Sequence, residues 1–323
     1  MGSYLKISNC YNISRDQNKK IISFSLYGIN THLEHTRGFF KGIFVNFELA
    51  KTVYPGWIIR VYMPDNEPIE FINLLIQMKD IELFLVKTNV CLRALRYLPN
   101  DDPFVSVWIS RDLDSIVTFR EKAAVDDWIM NYPNKELHIM NDHICHSWCM
   151  GGGMFGKKNN HEKSLITFML NFSNVVTNQN EYAVDCTIAE EYFYRPNNYI
   201  QHHGHGNKLQ NSVPFPAHDM TNCTFVGDIV NIHQYYNMLD IENKYIKPLQ
   251  QQASPPQPAP PQPAPPQPAP RQTLRGALQR ALHPQVQMPH IMQLRQIMQV
   301  RMPRNMMRMM QGPKNALKLK FFN

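Results

Sequence analysis

The residues best suited to chemistry in this chain are two aspartates one residue apart, Asp112 and Asp114. They follow an apolar run at 104–109 that has the composition of a buried strand. Two carboxylates at such a strand end can face one point, and Mg²⁺ or Mn²⁺ takes one or two protein carboxylates and completes its shell with phosphate oxygens and water. The spacing therefore predicts a metal-bridged nucleotide diphosphate. The alternative is that both aspartates only cap the following helix and its turn.

The elements that must position these aspartates alternate between strand and helix patterns. Strands are predicted at 21–26, 57–62, 81–86, 104–109 and 137–140. Helices are predicted at 31–50, 69–78 and 119–130. This alternation predicts an α/β fold with a mostly parallel sheet flanked by helices. Ligands of such sheets gather at the carboxyl ends of the strands, which is where Asp112 and Asp114 fall.

Composition divides the chain into three parts. Residues 1–250 form the expected folded domain. Residues 251–270 repeat Pro-Pro-Gln-Pro-Ala and predict an extended polyproline II linker. Residues 271–323 contain eight Met, ten Lys or Arg and no acidic residue, which predicts a largely disordered basic tail that could dock an anionic partner.

The distribution of charge excludes one class of function for the folded part. The whole chain has a formal charge of +7, but 1–250 holds 23 basic and 26 acidic residues, so the excess positive charge lies in the tail. A domain that binds nucleic acid needs clustered cations to displace counterions. The folded domain is therefore not expected to bind nucleic acid.

Apolar runs and cysteines bear on the compartment. No segment approaches the 18 or so apolar residues of a membrane span, and no signal-peptide pattern opens the chain. The scattered cysteines predict free thiols in a reducing compartment, which favours the cytoplasm. Four cysteines are interpreted as buried small hydrophobes: Cys10, Cys91, Cys186 and Cys223. A weaker alternative is a structural zinc cluster formed by His143, Cys145, His146 and Cys149. The spacing of these residues fits no usual zinc finger.

Six segments, in order along 20–230, resemble the GT-A glycosyltransferases, and more closely a group of them from bacteria and large DNA viruses. The segments are Phe24-Ser-Leu-Tyr-Gly28, Tyr54-Pro-Gly-Trp57 with Arg60 and Tyr62, Arg111-Asp-Leu-Asp-Ser115, Arg120-Glu-Lys-Ala-Ala-Val125, His138-Ile-Met-Asn-Asp-His143 and Gly151-Gly-Gly-Met-Phe-Gly156. The resemblance implies a GT-A-like Rossmann-type sheet. A large-virus origin would place the protein in the host cytoplasm or the virion.

The resemblance implies roles for individual residues around the donor. Asp112 and Asp114 would hold Mn²⁺ or Mg²⁺ on the diphosphate of a sugar nucleotide. Contacts to the nucleotide are implied for the loop after the first strand, at Tyr27, Gly28 and Asn30. Two arginines could add cationic contacts, Arg111 and Arg120, although Arg120 could equally form an ion pair with Glu121 at the start of a helix.

Retaining members of this group share three further features. They place a glycine-rich loop against the sugar, which corresponds here to Gly152 and its neighbours, because backbone without a Cβ approaches closely. They carry Asp-Gln near the donor sugar, where this chain has Asp185 followed by Cys186. They use a histidine near the carboxyl end of the domain as the third metal ligand. The candidates here are His202, His203 and His205, and His203 is the predicted ligand.

Asp142 ends the strand that follows the helix after Asp114. From there it could contact the donor sugar, act as a base on the acceptor hydroxyl, or only cap a turn. The preceding residue is Asn141, where related sequences have arginine.

Together these observations predict a metal-dependent glycosyltransferase that moves a sugar from a nucleoside-diphosphate donor to a glycan or protein acceptor. One alternative is an inactive glycosyltransferase-like protein that works through its basic tail as an interaction or virion protein. A second is a phosphatase that uses the first aspartate as its nucleophile. Phosphatases of that kind have Thr or Val where this chain has Ile116, and their aspartates open the domain.

Overall fold

A computed structural model of the chain describes residues 2–29, 38–144, 146, 150–160, 164–176, 183–204, 208–216 and 225–248. The proline-rich linker at 251–270 and the basic tail at 271–323 lie outside these residues, so their character and the docking role of the tail stay predictions. Two predicted site residues also lie outside them, Asn30 and His205.

One sheet of nine strands organises the described part of the chain. The strands are β1 Leu5–Tyr11, β2 Lys19–Ser25, β3 Ile58–Pro64, β4 Ile81–Thr88, β5 Val105–Arg111, β6 Leu137–Asn141, β7 Met154–Lys158, β8 Tyr199–His203 and β9 Ser212–Pro214. They lie in the order β1-β4-β3-β2-β5-β7-β6-β8-β9. Strands β1 and β7 run antiparallel to their neighbours, and the other pairings are parallel. The predicted α/β fold with a mostly parallel sheet is confirmed.

Helices cover both faces of this sheet. They are α1 Phe39–Val53, α2 Ile69–Gln77, α3 Phe119–Asn131, α4 Leu165–Val175, α5 Val184–Phe193 and α6 Ile232–Met238, with a 3₁₀ helix at Leu92–Asp101 and a π-helix at Glu242–Ile246. Neighbouring residues of β2, Ile21 and Ile22, belong to different apolar clusters. Because side chains alternate along a strand, the two clusters lie on opposite faces of the sheet.

The five strands predicted above agree with β2, β3, β4, β5 and β6 to within two residues. Strands β1, β7 and β9 were not predicted. Most of the predicted helix at 31–50 corresponds to α1, which begins at Phe39 and ends at Val53, whereas its predicted first part at 31–37 lies outside the described residues. Within the described part, no helix is long and apolar enough to span a membrane. Cys91 and Cys186 are buried free thiols as expected, but Cys10 is exposed because it lies on the edge strand β1, and Cys223 lies outside the described residues.

Strand register determines what lies beside the carboxyl end of β5. Arg111 pairs with Met154 across the antiparallel β5–β7 ladder. The glycines just before β7 therefore lie beside Asp112, just after β5. In the parallel β6–β8 ladder Asn141 pairs with His203, which brings Asp142 beside Gly204. The ends of β5, β6 and β8 and the start of β7 thus meet at one edge of the sheet.

Candidate functional site

A cavity of about 250 Å³ opens at this edge of the sheet. Its walls come from the 3₁₀ helix, the end of β5, the segment between β6 and β7, and the start of α5. Three predicted site residues line it: Asp112, Gly152 and Asp185. The structure therefore brings together a carboxylate from the predicted metal motif, a second carboxylate from α5 and the glycine-rich loop.

The glycine-rich loop at 151–153 presses its backbone against both carboxylates. A Cβ on Gly153 would lie 2.0 Å from Asp112 Oδ2, and a Cβ on Gly152 would lie 2.3 Å from Asp185 Oδ2. Ser110 Oγ donates a hydrogen bond to the carbonyl oxygen of Gly152 at 2.6 Å, which ties the loop to β5. Only glycine fits these two places, as the sequence predicted for Gly152.

Arg111 supports this loop from inside the protein. Its side chain is 1% exposed, and Nη1 donates to the carbonyl oxygen of Gly153 at 3.0 Å. Nη2 lies 3.1 Å from Glu121 Oε2, and the hydroxyl of Tyr54 donates to Glu121 Oε1 at 2.9 Å. The structure thus places Arg111 beneath the loop and outside the cavity lining, in a network that joins four of the motif segments.

The cation at the centre of the site is Arg96, which the sequence analysis did not select. Its guanidinium forms an ion pair with Asp112 and a second with Asp185, at 2.8 Å from Nη2 to Oδ2. Arg96 is 5% exposed, and its Nε has no hydrogen-bond partner among the described residues. Arg93 Nε lies 3.3 Å from Asp185 Oδ1, so two arginines flank one carboxylate.

The missed signal was the spacing of these arginines. A 3₁₀ helix has three residues per turn, so side chains three apart project from one face. Arg93 and Arg96 have this spacing within Leu92–Asp101, whereas Ala94, Leu95 and Leu98 are buried in the apolar cluster on that face of the sheet. The pattern was visible in the sequence, but the 3₁₀ helix was not predicted.

The charges of the site set the protonation of two side chains. Partial burial alone would raise the pKa of Asp112, but the Arg96 guanidinium, with Arg111 and Arg93, lowers it below its ordinary value. Asp112 is therefore ionised at neutral pH. Burial and the adjacent Asp185 raise the pKa of the Cys186 thiol to about 12, so Cys186 stays protonated.

Asp114 is half-buried and lies outside the cavity lining. Its carbonyl oxygen accepts a hydrogen bond from Val230 N at 3.0 Å. Helix α3 begins further along the chain, where the hydroxyl of Thr118 accepts from Glu121 N at 3.2 Å. The interpretation of Asp112 and Asp114 as the cap of this helix is wrong, because Thr118 is the cap, although Asp114 does lie in a turn.

Asp142 and Arg120 bind each other beside the cavity. Arg120 Nε and Nη2 each donate to one carboxylate oxygen of Asp142 at 2.7 Å, and Val226 N donates to Oδ2 at 2.9 Å. Arg120 also lies over the ring of Phe215, 4.3 Å from its centroid. The ion pair of Arg120 with Glu121 is not formed. Asp142 is 3% exposed, and the contacts of its side chain with Arg120 and Val226 go beyond those of a residue that only caps a turn.

The two described histidine candidates, His202 and His203, have different surroundings. His202 is fully buried, with Nδ1 2.8 Å from His138 Nε2 and Nε2 3.0 Å from Asp127 Oδ2, so both of its ring nitrogens have protein partners. His203 is half-buried, and its Nδ1 lies 3.3 Å from the carbonyl oxygen of Gly204. The His203 ring thus contacts a backbone carbonyl, whereas both nitrogens of His202 contact side chains.

No group of three His, Cys, Asp or Glu side chains is arranged to hold a metal within the described ranges. In the zinc alternative, the rings of His143 and His146 lie 5.9 Å apart, and Cys145 and Cys149 are outside the described residues. Metal binding at Asp112, Asp114 and His203 stays a prediction.

The loop after β2 lies beside the two arginines. Burial raises the pKa of the Tyr27 phenol, and the positive charges of Arg93 and Arg96 act in the opposite direction. Gly28 has φ of 69°, a conformation that favours glycine, and its N–H donates to Glu67, as does Ile29 N at 3.2 Å. Neither Tyr27 nor Gly28 lines the cavity, and their contacts with a nucleotide stay a prediction.

No family model matches the sequence, and no curated protein matches it. Among solved structures, a glycosyltransferase involved in glycosylation of the major capsid of PBCV-1 matches with a TM-score of 0.34 and 13% identity, over 58% of this chain and 81% of its own. The glycosyltransferase GlyE of Streptococcus pneumoniae matches with a TM-score of 0.37 and 15% identity, over 58% of this chain and 45% of its own. A 4-diphosphocytidyl-2C-methyl-D-erythritol synthase from Anaerococcus prevotii matches with a TM-score of 0.39 and 11% identity, over 70% and 96%. Two of these three structural neighbours are glycosyltransferases.

Proposed function

We propose that this chain is a metal-dependent glycosyltransferase that moves a sugar from a nucleoside-diphosphate donor to the hydroxyl of a glycan or protein acceptor. The observation that supports it is the cavity at the end of β5, where ionised Asp112 meets Asp185 and two arginines against a backbone loop. Such a cavity offers partners both to a charged diphosphate and to the hydroxyls of a sugar.

A divalent cation fits this site through Asp112. One oxygen of its carboxylate forms an ion pair with Arg96. The other lies against Gly153, at a place that a Cβ on residue 153 would fill. The Asp112 side chain is 43% exposed, so an ion has access to it. Mn²⁺ and Mg²⁺ need only one or two protein carboxylates. Asp112 would hold the ion with Asp114 and His203, and bound there it would stabilise negative charge on the diphosphate.

The chain's own residues would bind and orient the reactants. Arg93 and Arg96 place positive charge where the departing diphosphate gains negative charge. Asp185, held by both arginines, would accept hydrogen bonds from sugar hydroxyls. The acceptor oxygen bonds to the anomeric carbon as the bond from that carbon to the diphosphate oxygen breaks. The diphosphate leaves with the bonding electron pair, and the acceptor proton passes to solvent water.

The other predicted residues would act around this centre. Tyr27, Gly28 and Asn30 would contact the nucleotide, and Gly152 would let the backbone approach the sugar. Arg111 would hold the glycine loop in place. The pair of Arg120 and Asp142 would fix the end of β6 beside the donor.

Nucleotide binding tests the proposal. The thermal unfolding of the full chain is measured with each nucleoside diphosphate, with and without Mn²⁺, for the wild type and for Asp112→Asn. A ligand at a hundred times its dissociation constant stabilises the folded state by about 2.7 kcal/mol. We expect Mn²⁺-dependent stabilisation of the wild type by one nucleotide, and its loss in Asp112→Asn.

The matched control is Asp16→Asn, because Asp16 is exposed and lies ahead of β2, at the opposite end of the strands. This variant should respond as the wild type does. Equal stabilisation of Asp112→Asn and the wild type, or no response of the wild type to any nucleotide, would contradict the proposal.

A further inference from the structure

His146 lines the same cavity but has no role in the proposed function so far. It lies between β6 and β7, four residues after Asp142. Its ring contacts the rings of Phe225 and His143, with centroids 5.5 Å and 5.9 Å away. A side chain packed in this way presents a defined edge to the cavity.

Two backbone groups determine the tautomer of this ring. His146 Nδ1 lies 3.2 Å from Asp142 N and 3.2 Å from His143 N. A backbone N–H group only donates, so Nδ1 accepts both hydrogen bonds and carries no proton. In a neutral imidazole with a bare Nδ1 the proton is on Nε2. The Nε2 of His146 has no hydrogen-bond partner among the described residues, and it lies on the ring edge away from those N–H groups.

The surroundings keep this ring neutral. Burial, and after it the neighbouring His143, lowers the pKa of His146 to about 4, although Asp142 acts in the opposite direction. At neutral pH the ring is uncharged and Nδ1 is occupied by the backbone. His146 therefore offers the cavity a hydrogen-bond donor and no accepting nitrogen, so it is unsuited to act as a base.

We propose that His146 Nε2–H donates a hydrogen bond to a diphosphate oxygen of the bound donor, next to Asp112. This inference rests on the proposed glycosyltransferase function and adds a substrate-binding residue to it. A group that only donates suits an oxygen that only accepts, which describes a phosphate oxygen better than a sugar hydroxyl. His146 and Asp112 line the same cavity, so the ring shares that cavity with the carboxylate that would hold the metal.

A donor of this kind assists the reaction without adding charge to the resting site. The arginines are already in contact with Asp185 and Asp112. A fixed N–H aimed at the diphosphate interacts more strongly as negative charge grows on the leaving group, and its orientation is set before the substrate arrives.

Two substitutions separate substrate binding from a purely structural role. Asparagine places its amide oxygen near the position of Nδ1, so His146→Asn keeps an acceptor for the two backbone N–H groups and removes the donor in the cavity. Glutamine extends its amide nitrogen toward the position of Nε2, so His146→Gln keeps the donor and loses the local acceptor. If His146 has only a structural role, the variant that is more stable should also bind the probe more tightly. If His146 binds the substrate, His146→Gln should bind the probe more tightly than His146→Asn although it is less stable.

The experiment uses the full chain and inorganic pyrophosphate with Mn²⁺ as the probe. Affinity is measured by calorimetric titration and stability by urea unfolding. We expect His146→Asn to unfold near the wild-type midpoint but to bind pyrophosphate roughly 10- to 100-fold more weakly, as for a lost hydrogen bond to a charged group. We expect His146→Gln to be less stable than His146→Asn yet to bind more tightly.

Wild-type affinity in His146→Asn, or affinities that follow the order of stability, would overturn the role of His146 and leave the proposed function intact. If the wild type does not bind Mn²⁺-pyrophosphate, or Asp112→Asn binds it equally well, the proposed function fails and this inference fails with it.

Discussion

Arg96 is the residue that makes two neighbouring carboxylates compatible at this site. Its guanidinium contacts both Asp112 and Asp185, and 5% of the residue is exposed to solvent. Two carboxylates in such surroundings repel each other, and a shared cation removes that cost. Sequence analysis found both carboxylates from their motifs but not the cation, because the pairing depends on tertiary contacts between the 3₁₀ helix, β5 and α5.

Gly153 provides a test at the scale of one residue. In Gly153→Ala the new Cβ would fall 2.0 Å from Asp112 Oδ2, so the carboxylate or the loop must move. We expect a loss of about 1 to 3 kcal/mol in the free energy of unfolding, typical of overpacking, together with loss of Mn²⁺-dependent nucleotide binding. Urea unfolding and thermal-shift titration measure the two effects.

Gly2→Ala is the control for this substitution, since no heavy atom lies within 4 Å of the Cβ it would add. Its stability and nucleotide response should equal those of the wild type. A Gly153→Ala protein with wild-type nucleotide binding would show that the contact of the loop with Asp112 is not needed.

At the scale of elements, the sequence predicted those strands and helices that local residue patterns specify. The strands at 58–64 and 81–88 and the helix at 119–131 follow from apolar runs and periodicity. Strand β7 was missed, because Gly151-Gly-Gly-Met-Phe-Gly156 has a weak strand pattern and its pairing with β5 and β6 is long-range. The register of β7 is what places the glycine loop on Asp112, so the site could be predicted only as separate motifs.

A buried histidine pair joins three of these elements. His138 of β6 stacks on Trp128 of α3, with ring centroids 5.1 Å apart, and its Nε2 lies 2.8 Å from His202 Nδ1 in β8. The ionisable groups that act on the pair are Asp127, Lys158 and His203. Burial lowers the pKa of both rings below its ordinary value, so both are neutral in the folded protein.

This pair predicts a loss of stability in acid. In the unfolded chain the histidines titrate near their ordinary pKa of about 6.5, so below that pH the unfolded state binds more protons than the folded state. The free energy of unfolding should be unaffected by this pair above about pH 7. It should then fall by up to about 1.4 kcal/mol per pH unit for each group as the pH drops below 6.5. Urea unfolding between pH 7.5 and pH 5 measures this dependence.

The control removes one titrating ring of the pair. His138→Gln should lower stability at pH 7.5, because the stacking on Trp128 is lost, and should show a shallower decline between pH 6.5 and pH 5. An unchanged slope in His138→Gln would show that other groups cause the acid sensitivity.

At the scale of the whole molecule, the motif segments divide between support and site. Tyr54, Arg111 and Glu121 form a buried network beneath the glycine loop. Arg60 is likewise buried, 2.6 Å from Glu82 and 2.8 Å from Asp102. Part of the sequence resemblance therefore falls on buried residues that support the strand ends and not on residues that line the cavity. The cavity is where the strand ends converge, as expected for a sheet of this kind.

Sugar transfer is the direct test of the central claim. The full chain is incubated with a panel of sugar nucleotides and Mn²⁺, and the release of nucleoside diphosphate is measured for the wild type and for Asp112→Asn. We expect release from one class of donor that depends on Mn²⁺ and falls by roughly 100-fold or more in Asp112→Asn, the range for removing a group that stabilises developing charge. Release that is equal in Asp112→Asn, or no release from any donor by a wild type that binds no nucleotide, would contradict it.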